Sequence, residues 1–175
     1  NIPFSDGYAR ADMRLTGTTT SNLRGISIRA PGGNSYYLTM RPDAGGCTLG
    51  KISGGPAESL ASCAEPLSYT APSYTLILEA IDNGANVDLK AWVFETGQPI
   101  PPTPSMSFTD TGAVTPVLTS GYAEVWTYAD HLGAVHVIFD NASAHDHPAL
   151  DSDGDWLLDD IEALMCTSAS DADSD

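Results

Sequence analysis

The chain has 175 residues, with seven Lys and Arg against 23 Asp and Glu, a formal net charge of −16. That length supports one domain with a real core and leaves room for a small appendage. The sign of the charge excludes nucleic acid as a partner, since phosphate binding needs Lys and Arg, and no apolar run approaches the roughly 18 residues of a membrane span.

The charge is unevenly placed. Residues 1–90 hold all seven cations and eight acids, a net of −1, whereas residues 91–175 hold fifteen acids and no Lys or Arg, a net of −15. An acidic half of that kind repels itself unless neutralised, so divalent cations are expected partners. A chain that begins at Asn1 reads as already processed, and a secreted or cell-surface setting is expected.

From the N-terminus, the pattern is that of short strands. Ala9, Ala11, Met13 and Leu15 alternate with Tyr8, Arg10, Asp12 and Arg14, the period of a strand with one buried face. Further strands are predicted near residues 24–30, 35–41, 47–53 and 74–81. Val87, Leu89, Ala91 and Val93 alternate with Asp88, Lys90, Trp92 and Phe94; residues 121–128 follow, and then Val135, Val137 and Phe139. Turn signals separate them, among them Pro31-Gly-Gly-Asn, Asp43-Ala-Gly-Gly, Gly54-Gly-Pro and Asp82-Asn-Gly. Many short strands at regular spacing predict an all-β fold, an antiparallel β-sandwich over residues 1–143. Residues 98–104, with four Pro in seven positions, are expected to be an extended loop. Residues 144–150 read as a linker to an acidic segment, 151–175.

Cys47 and Cys63 bracket a Gly-rich stretch and are expected to form a disulfide worth roughly 3 kcal/mol, which implies an oxidising compartment; the alternative is two buried free thiols. Cys166 is left over, as a buried small residue or an intermolecular link.

The acidic segment opens Asp-Ser-Asp-Gly-Asp-Trp-Leu-Leu-Asp-Asp-Ile-Glu. Asp151, Asp153, Asp155, Asp159 and Glu162 fall at loop positions 1, 3, 5, 9 and 12, with the Leu157 carbonyl at position 7, a spacing that wraps hard oxygens around Ca²⁺. The alternative is a solvated acidic tail capping a short helix. The run resembles the thrombospondin type 3-like calcium repeats of secreted bacterial proteins: Asp-Asp-Ile-Glu-Ala-Leu-Met matches their helix, and Asp171, Asp173 and Asp175 look like the opening of a second repeat that a neighbouring segment could complete. Trp156 departs from that family's Gly, at a point that usually needs positive φ, and costs on the order of 1–2 kcal/mol there.

The body of the chain carries a second likeness. Val87-Asp-Leu-Lys-Ala-Trp-Val, Phe108-Thr-Asp, Ser120-Gly-Tyr-Ala-Glu-Val-Trp-Thr-Tyr and Val137-Ile-Phe-Asp-Asn resemble the closing strands of concanavalin A-like, laminin G-like sandwiches. The likeness implies a last strand lying close to the first. It also implies that the family's earliest strands are missing here, leaving a gap for another segment or a second copy to fill. Members of that group bind sugars, bind proteins or hydrolyse glycans, so the resemblance implies an architecture before an activity.

Catalytic constellations are not found. Sandwich glucanases carry Glu-x-Asp-x-x-Glu on one strand, and no such run occurs; Glu95 and Glu124 stand alone and read as solvated. There is no Gly-x-Ser-x-Gly elbow. His145-Asp146-His147 could clip a transition metal but reads more simply as polar linker. Sugar contacts, if present, would come from exposed aromatics: Tyr36 and Tyr37 beside a Gly-rich turn, and Trp126. Trp92 and Trp126 lie within strands, where burial in the core or under a loop is the usual fate. Asn141-Ala-Ser matches an N-glycosylation triplet, and Thr103 sits in a hydroxyl- and Pro-rich loop of the kind that carries O-linked sugar.

The reading these features favour is a non-enzymatic, secreted, Ca²⁺-binding structural or adhesive module that assembles with copies of itself or an adjacent domain. The second reading is a carbohydrate-binding module of a larger secreted enzyme, with glycans as partners.

Overall fold

The computed structural model describes residues 5–15, 23–41, 46–63, 73–128 and 137–146. They form ten strands: β1 (Gly7–Leu15), β2 (Leu23–Ile28), β3 (Ser35–Arg41), β4 (Gly46–Ile52), β5 (Glu58–Cys63), β6 (Tyr74–Asn83), β7 (Asn86–Glu95), β8 (Met106–Asp110), β9 (Glu124–Tyr128) and β10 (Val137–His145). Two five-stranded antiparallel sheets result, in the orders β10-β1-β6-β7-β8 and β5-β4-β3-β2-β9.

Alternation decides which side chains lie between the sheets. Ala9, Ala11 and Met13 of β1, Leu76 and Leu78 of β6, and Val87, Leu89 and Ala91 of β7 pack against Ile26 and Ile28 of β2, Leu38 and Met40 of β3, and Leu49 of β4. Each fully buried Leu or Ile contributes roughly 1.5–3 kcal/mol. The β6–β7 hairpin closes between the paired Asn83 and Asn86, with Gly84 at φ 68°, where a residue with a Cβ would be strained.

The last strand lies beside the first, as the resemblance implies: Phe139 pairs with Met13 and Asp140 with Asp12. Among the described residues each sheet is hydrogen-bonded continuously, with β10 and β8 at the margins of one and β5 and β9 at the margins of the other. Strand β10 also runs on to His145, two residues into the segment read as linker. Among the strands, β5 and β8 are ones that alternation alone did not mark out.

Three polar devices stitch the sandwich. Cys47 and Cys63 face each other across β4 and β5 and form the expected disulfide, with Cα atoms 5.1 Å apart. Arg29, fully buried just after β2, donates to Asp82 Oδ1 (2.8 Å), the Leu118 carbonyl (2.8 Å), Asp6 Oδ1 (3.2 Å) and the Ala80 carbonyl (3.3 Å). Lys51 Nζ donates to Asp110 Oδ2 (2.6 Å) and to the Thr115 carbonyl (2.8 Å). The last two devices hold the 111–118 segment across one end of the sandwich and join strands of different sheets.

Candidate functional site

Register builds the site. On the outer face of the β5-β4-β3-β2-β9 sheet, Glu124 pairs with Ser27 and Trp126 with Gly25, while Ser27 in turn pairs with Tyr37 and Tyr37 with Gly50. Paired residues of an antiparallel ladder share a face. Because residues two apart on a strand also do, Glu124 and Trp126 stand together at the sheet's edge beside Tyr37.

The rings of Tyr37 and Trp126 meet edge to face, centroids 6.1 Å apart and planes at 81°. They form one wall of a cleft of about 520 Å³, completed by Ser27, Glu124 and Thr127 of the strands, Asn34 and Ser35 entering β3, Ile52 at the end of β4 and Ala57 in the loop after it. The Pro31–Asn34 turn, with Gly32 and Gly33 at φ 57° and 89°, closes through Asn34 N–H to the Pro31 carbonyl at 3.1 Å. Asn34 Oδ1 accepts the Gly54 N–H at 2.7 Å, which holds the loop after β4 against the same turn.

Each polar group has a defined state. Tyr37 is buried along its ring and donates its hydroxyl to the Glu58 carbonyl at 3.2 Å. Burial first, and then the Glu58 charge, push its phenol above the usual range, so it stays neutral. Glu124 is exposed and accepts only a long contact from Ser27 Oγ, 3.5 Å, which leaves most of its lone pairs free for a ligand. Among the described residues lining the cleft, Glu124 is the sole carboxylate and no Lys or Arg takes part. One carboxylate cannot supply the acid and base of glycoside hydrolysis. What the cleft offers is apolar ring surface beside acceptors and donors, the composition of a small-molecule site.

The aromatics named from sequence separate here. Tyr37 and Trp126 come together, but Tyr36 does not join them. It points inward, fully buried, donates to Asp110 Oδ2 at 2.7 Å and accepts the Leu118 N–H at 3.1 Å. The expectation of a surface Tyr36 is therefore corrected, because adjacent residues of a strand take opposite faces. Trp92 lies on the outer face of the other sheet under the Pro-rich loop, Nε1 donating to the Pro101 carbonyl at 3.1 Å and its ring packed with Tyr8 and Ile77. The other expected positions are dispersed. Thr103 is exposed in the Pro-rich loop. Asn141, exposed and at φ 49° in β10, donates its side-chain nitrogen to Asp12 Oδ2 at 2.7 Å. Asp151, Asp153, Asp155, Leu157, Asp159, Glu162, Asp171, Asp173 and Asp175 lie outside the described residues. Glu124 is the cleft residue that sequence reading set aside as solvated; its position two residues before Trp126 is the signal that could have found it.

No protein-family profile matches the sequence, and no curated protein does. Solved structures do match in shape. The carbohydrate-binding module CBM66 from Bacillus subtilis superposes with a TM-score of 0.61 at 15% identity, covering 82% of this chain and 76% of that one. A bifunctional GH43-CE protein of Bacteroides eggerthii matches with a TM-score of 0.56 at 12% identity, over 80% of this chain and 18% of its own. A GH43 protein of Bacillus licheniformis gives 0.51 at 12%, over 77% and 26%. The chain thus spans about a fifth to a quarter of the two GH43 chains. At these identities the likeness establishes the fold, a two-sheet concanavalin A-like sandwich.

Proposed function

We propose that this sandwich is a non-catalytic carbohydrate-binding module that works in an oxidising, extracellular setting, and that the Tyr37–Trp126 cleft is its binding site. The observation that carries the proposal is the pairing of these two rings in a cleft that also presents the apolar Ile52 and Ala57, three hydroxyls, an amide and a single carboxylate. A sugar ring has an apolar C–H face and a rim of hydroxyls; aromatic rings match the first, and Ser27, Asn34, Glu124 and Thr127 match the second. The shape match to a carbohydrate-binding module over most of both chains supports the same reading. That shape match supports glycan binding above the structural, self-assembling role that the sequence favours. Affinity electrophoresis in gels containing neutral polysaccharides tests the reading. Retardation of the wild type that Trp126→Ala abolishes supports it, and retardation unaffected by Trp126→Ala removes the cleft from the account.

For the acidic segment the proposal remains Ca²⁺ held by Asp151, Asp153, Asp155, Leu157, Asp159 and Glu162, supported by spacing alone. Calorimetric titration with Ca²⁺ checks it: saturable binding lost in Asp155→Asn is expected, and no heat of binding above a non-specific background rejects it.

A further inference from the structure

We infer that the cleft selects neutral glycans and rejects those bearing a carboxylate or sulfate at the docked sugar, with Glu124 as the residue that sets this selectivity. The inference rests on the carbohydrate-binding reading above and adds the chemical class of ligand.

The argument starts from where the cations are. Arg29 is spent on Asp6 and Asp82, Lys51 on Asp110, and Lys90 pairs with Glu79 at 3.0 Å. Arg24 is sealed at 1% exposure. Arg10 and Arg14 belong to β1, in the opposite sheet. Arg10 does reach a smaller crevice of about 250 Å³ at the mouth of the sandwich, which Glu124 also borders, but it does not line the cleft itself.

Among the described residues that line the cleft, a ligand therefore meets one formal charge, the Glu124 carboxylate, and no cation; Arg10 shares only the smaller crevice with it. Glu124 has only the 3.5 Å contact from Ser27 Oγ to satisfy it. Two adjacent sugar hydroxyls can donate to its two oxygens, and such charge-assisted hydrogen bonds are short and strong. A uronate or sulfate at the same place has no proton to donate and brings like charge into a partly desolvated cleft. Tyr37 cannot relieve this as a cation could. Its phenol is neutral and its hydroxyl is already given to the Glu58 carbonyl. The protein's net charge of −16 adds a long-range field of the same sign.

The test uses the full chain and matched pairs of immobilised polysaccharides: galactan against polygalacturonate, dextran against dextran sulfate, and xylan without and with glucuronic acid branches. Wild type, Glu124→Gln and Trp126→Ala are compared at low and high salt. The expected result is retention by at least one neutral member and by none of the anionic counterparts, with retention lost in Trp126→Ala. Glu124→Gln is expected to narrow the neutral-over-anionic ratio by about tenfold at low salt and by less at high salt. An anionic counterpart bound as well as its neutral partner, with Trp126→Ala still abolishing retention, overturns this inference and leaves the cleft reading standing. Retention untouched by Trp126→Ala, or no retention on any neutral member, overturns the cleft reading and this inference with it.

Discussion

The ring of Tyr37 lies across the α-carbon of Gly50, its partner on β4, so that a Cβ at Gly50 would overlap the phenol carbon and oxygen of Tyr37 and press on the Glu58 carbonyl. The absent side chain at Gly50 is thus what lets Tyr37 lie down beside Trp126 and reach Glu58. Gly50→Ala is expected to lift the ring out of place, cost about 1–3 kcal/mol of stability by overpacking, and weaken glycan retention at least tenfold. Tyr37→Phe keeps the ring and loses only the hydrogen bond to Glu58, so its retention should stay within about threefold of wild type. Urea unfolding and affinity electrophoresis on the same samples separate the two effects. Gly50→Ala binding as well as wild type would show that Tyr37's position does not matter.

How far this site could be read from sequence follows from what periodicity encodes. Alternation in Ala9-x-Ala11-x-Met13 and Val87-x-Leu89-x-Ala91-x-Val93 is visible because one face is buried, and all seven residues are in the core. The polar edge strand β5, Glu58–Cys63, mixes exposed and half-buried positions and gives no such signal. Tyr36 and Tyr37 look alike in sequence, since both are large aromatics beside a turn. The apolar alternation Tyr36-x-Leu38-x-Met40 is the signal that assigns Tyr36 to the core face and Tyr37 to the outer one. The placing of Tyr37 beside Trp126 depends instead on register, a long-range property. Trp92 and Trp126 divide for the same kind of reason, one lying under a loop and one standing in a cleft. The fold class was therefore legible, and the cleft only in fragments.

The Lys51–Asp110–Tyr36 cluster predicts an acid-labile fold. Burial opposes the Asp110 carboxylate, but hydrogen bonds from Lys51, Tyr36 and the Gly112 N–H, together with the Lys51 charge, outweigh it and hold the group below its usual range. A depressed carboxylate contributes stability above its unfolded value of about 4, and that contribution disappears as pH falls through the folded value. Asp110→Asn should flatten the stability profile below about pH 4 and, by stranding Lys51, cost about 3–5 kcal/mol near neutrality. Urea midpoints measured across pH check both. An unchanged acid limb in the variant contradicts the assignment.

Tyr36 predicts the opposite limb. Burial first, and then its hydrogen bond to Asp110, push the phenol well above its ordinary range. The neutral hydroxyl therefore contributes stability below the unfolded value of about 10, and that contribution falls away as pH rises past it. Wild type should lose stability above about pH 10, and Tyr36→Phe should lose less over the same interval. Parallel alkaline profiles for the two proteins would speak against a protonated, buried Tyr36.

The Cys47–Cys63 disulfide closes a loop across paired residues 16 apart in sequence. Constraining the unfolded chain over that span is worth about 3 kcal/mol. Reduction, or Cys47→Ser with Cys63→Ser, should lower unfolding free energy by about that amount, with the cleft still formed because Tyr37 and Trp126 lie on strands β3 and β9. Denaturant titrations with and without reductant measure it. A reduced protein as stable as the oxidised one would place the strength of the β4–β5 edge elsewhere.

The most direct test of the central claim is the dissociation constant for a neutral polysaccharide that retains the wild type, measured beside Trp126→Ala under conditions where both show the same far-ultraviolet circular dichroism. The account predicts that loss of this one ring weakens binding at least tenfold while the fold persists. Equal affinity in the two proteins would contradict it.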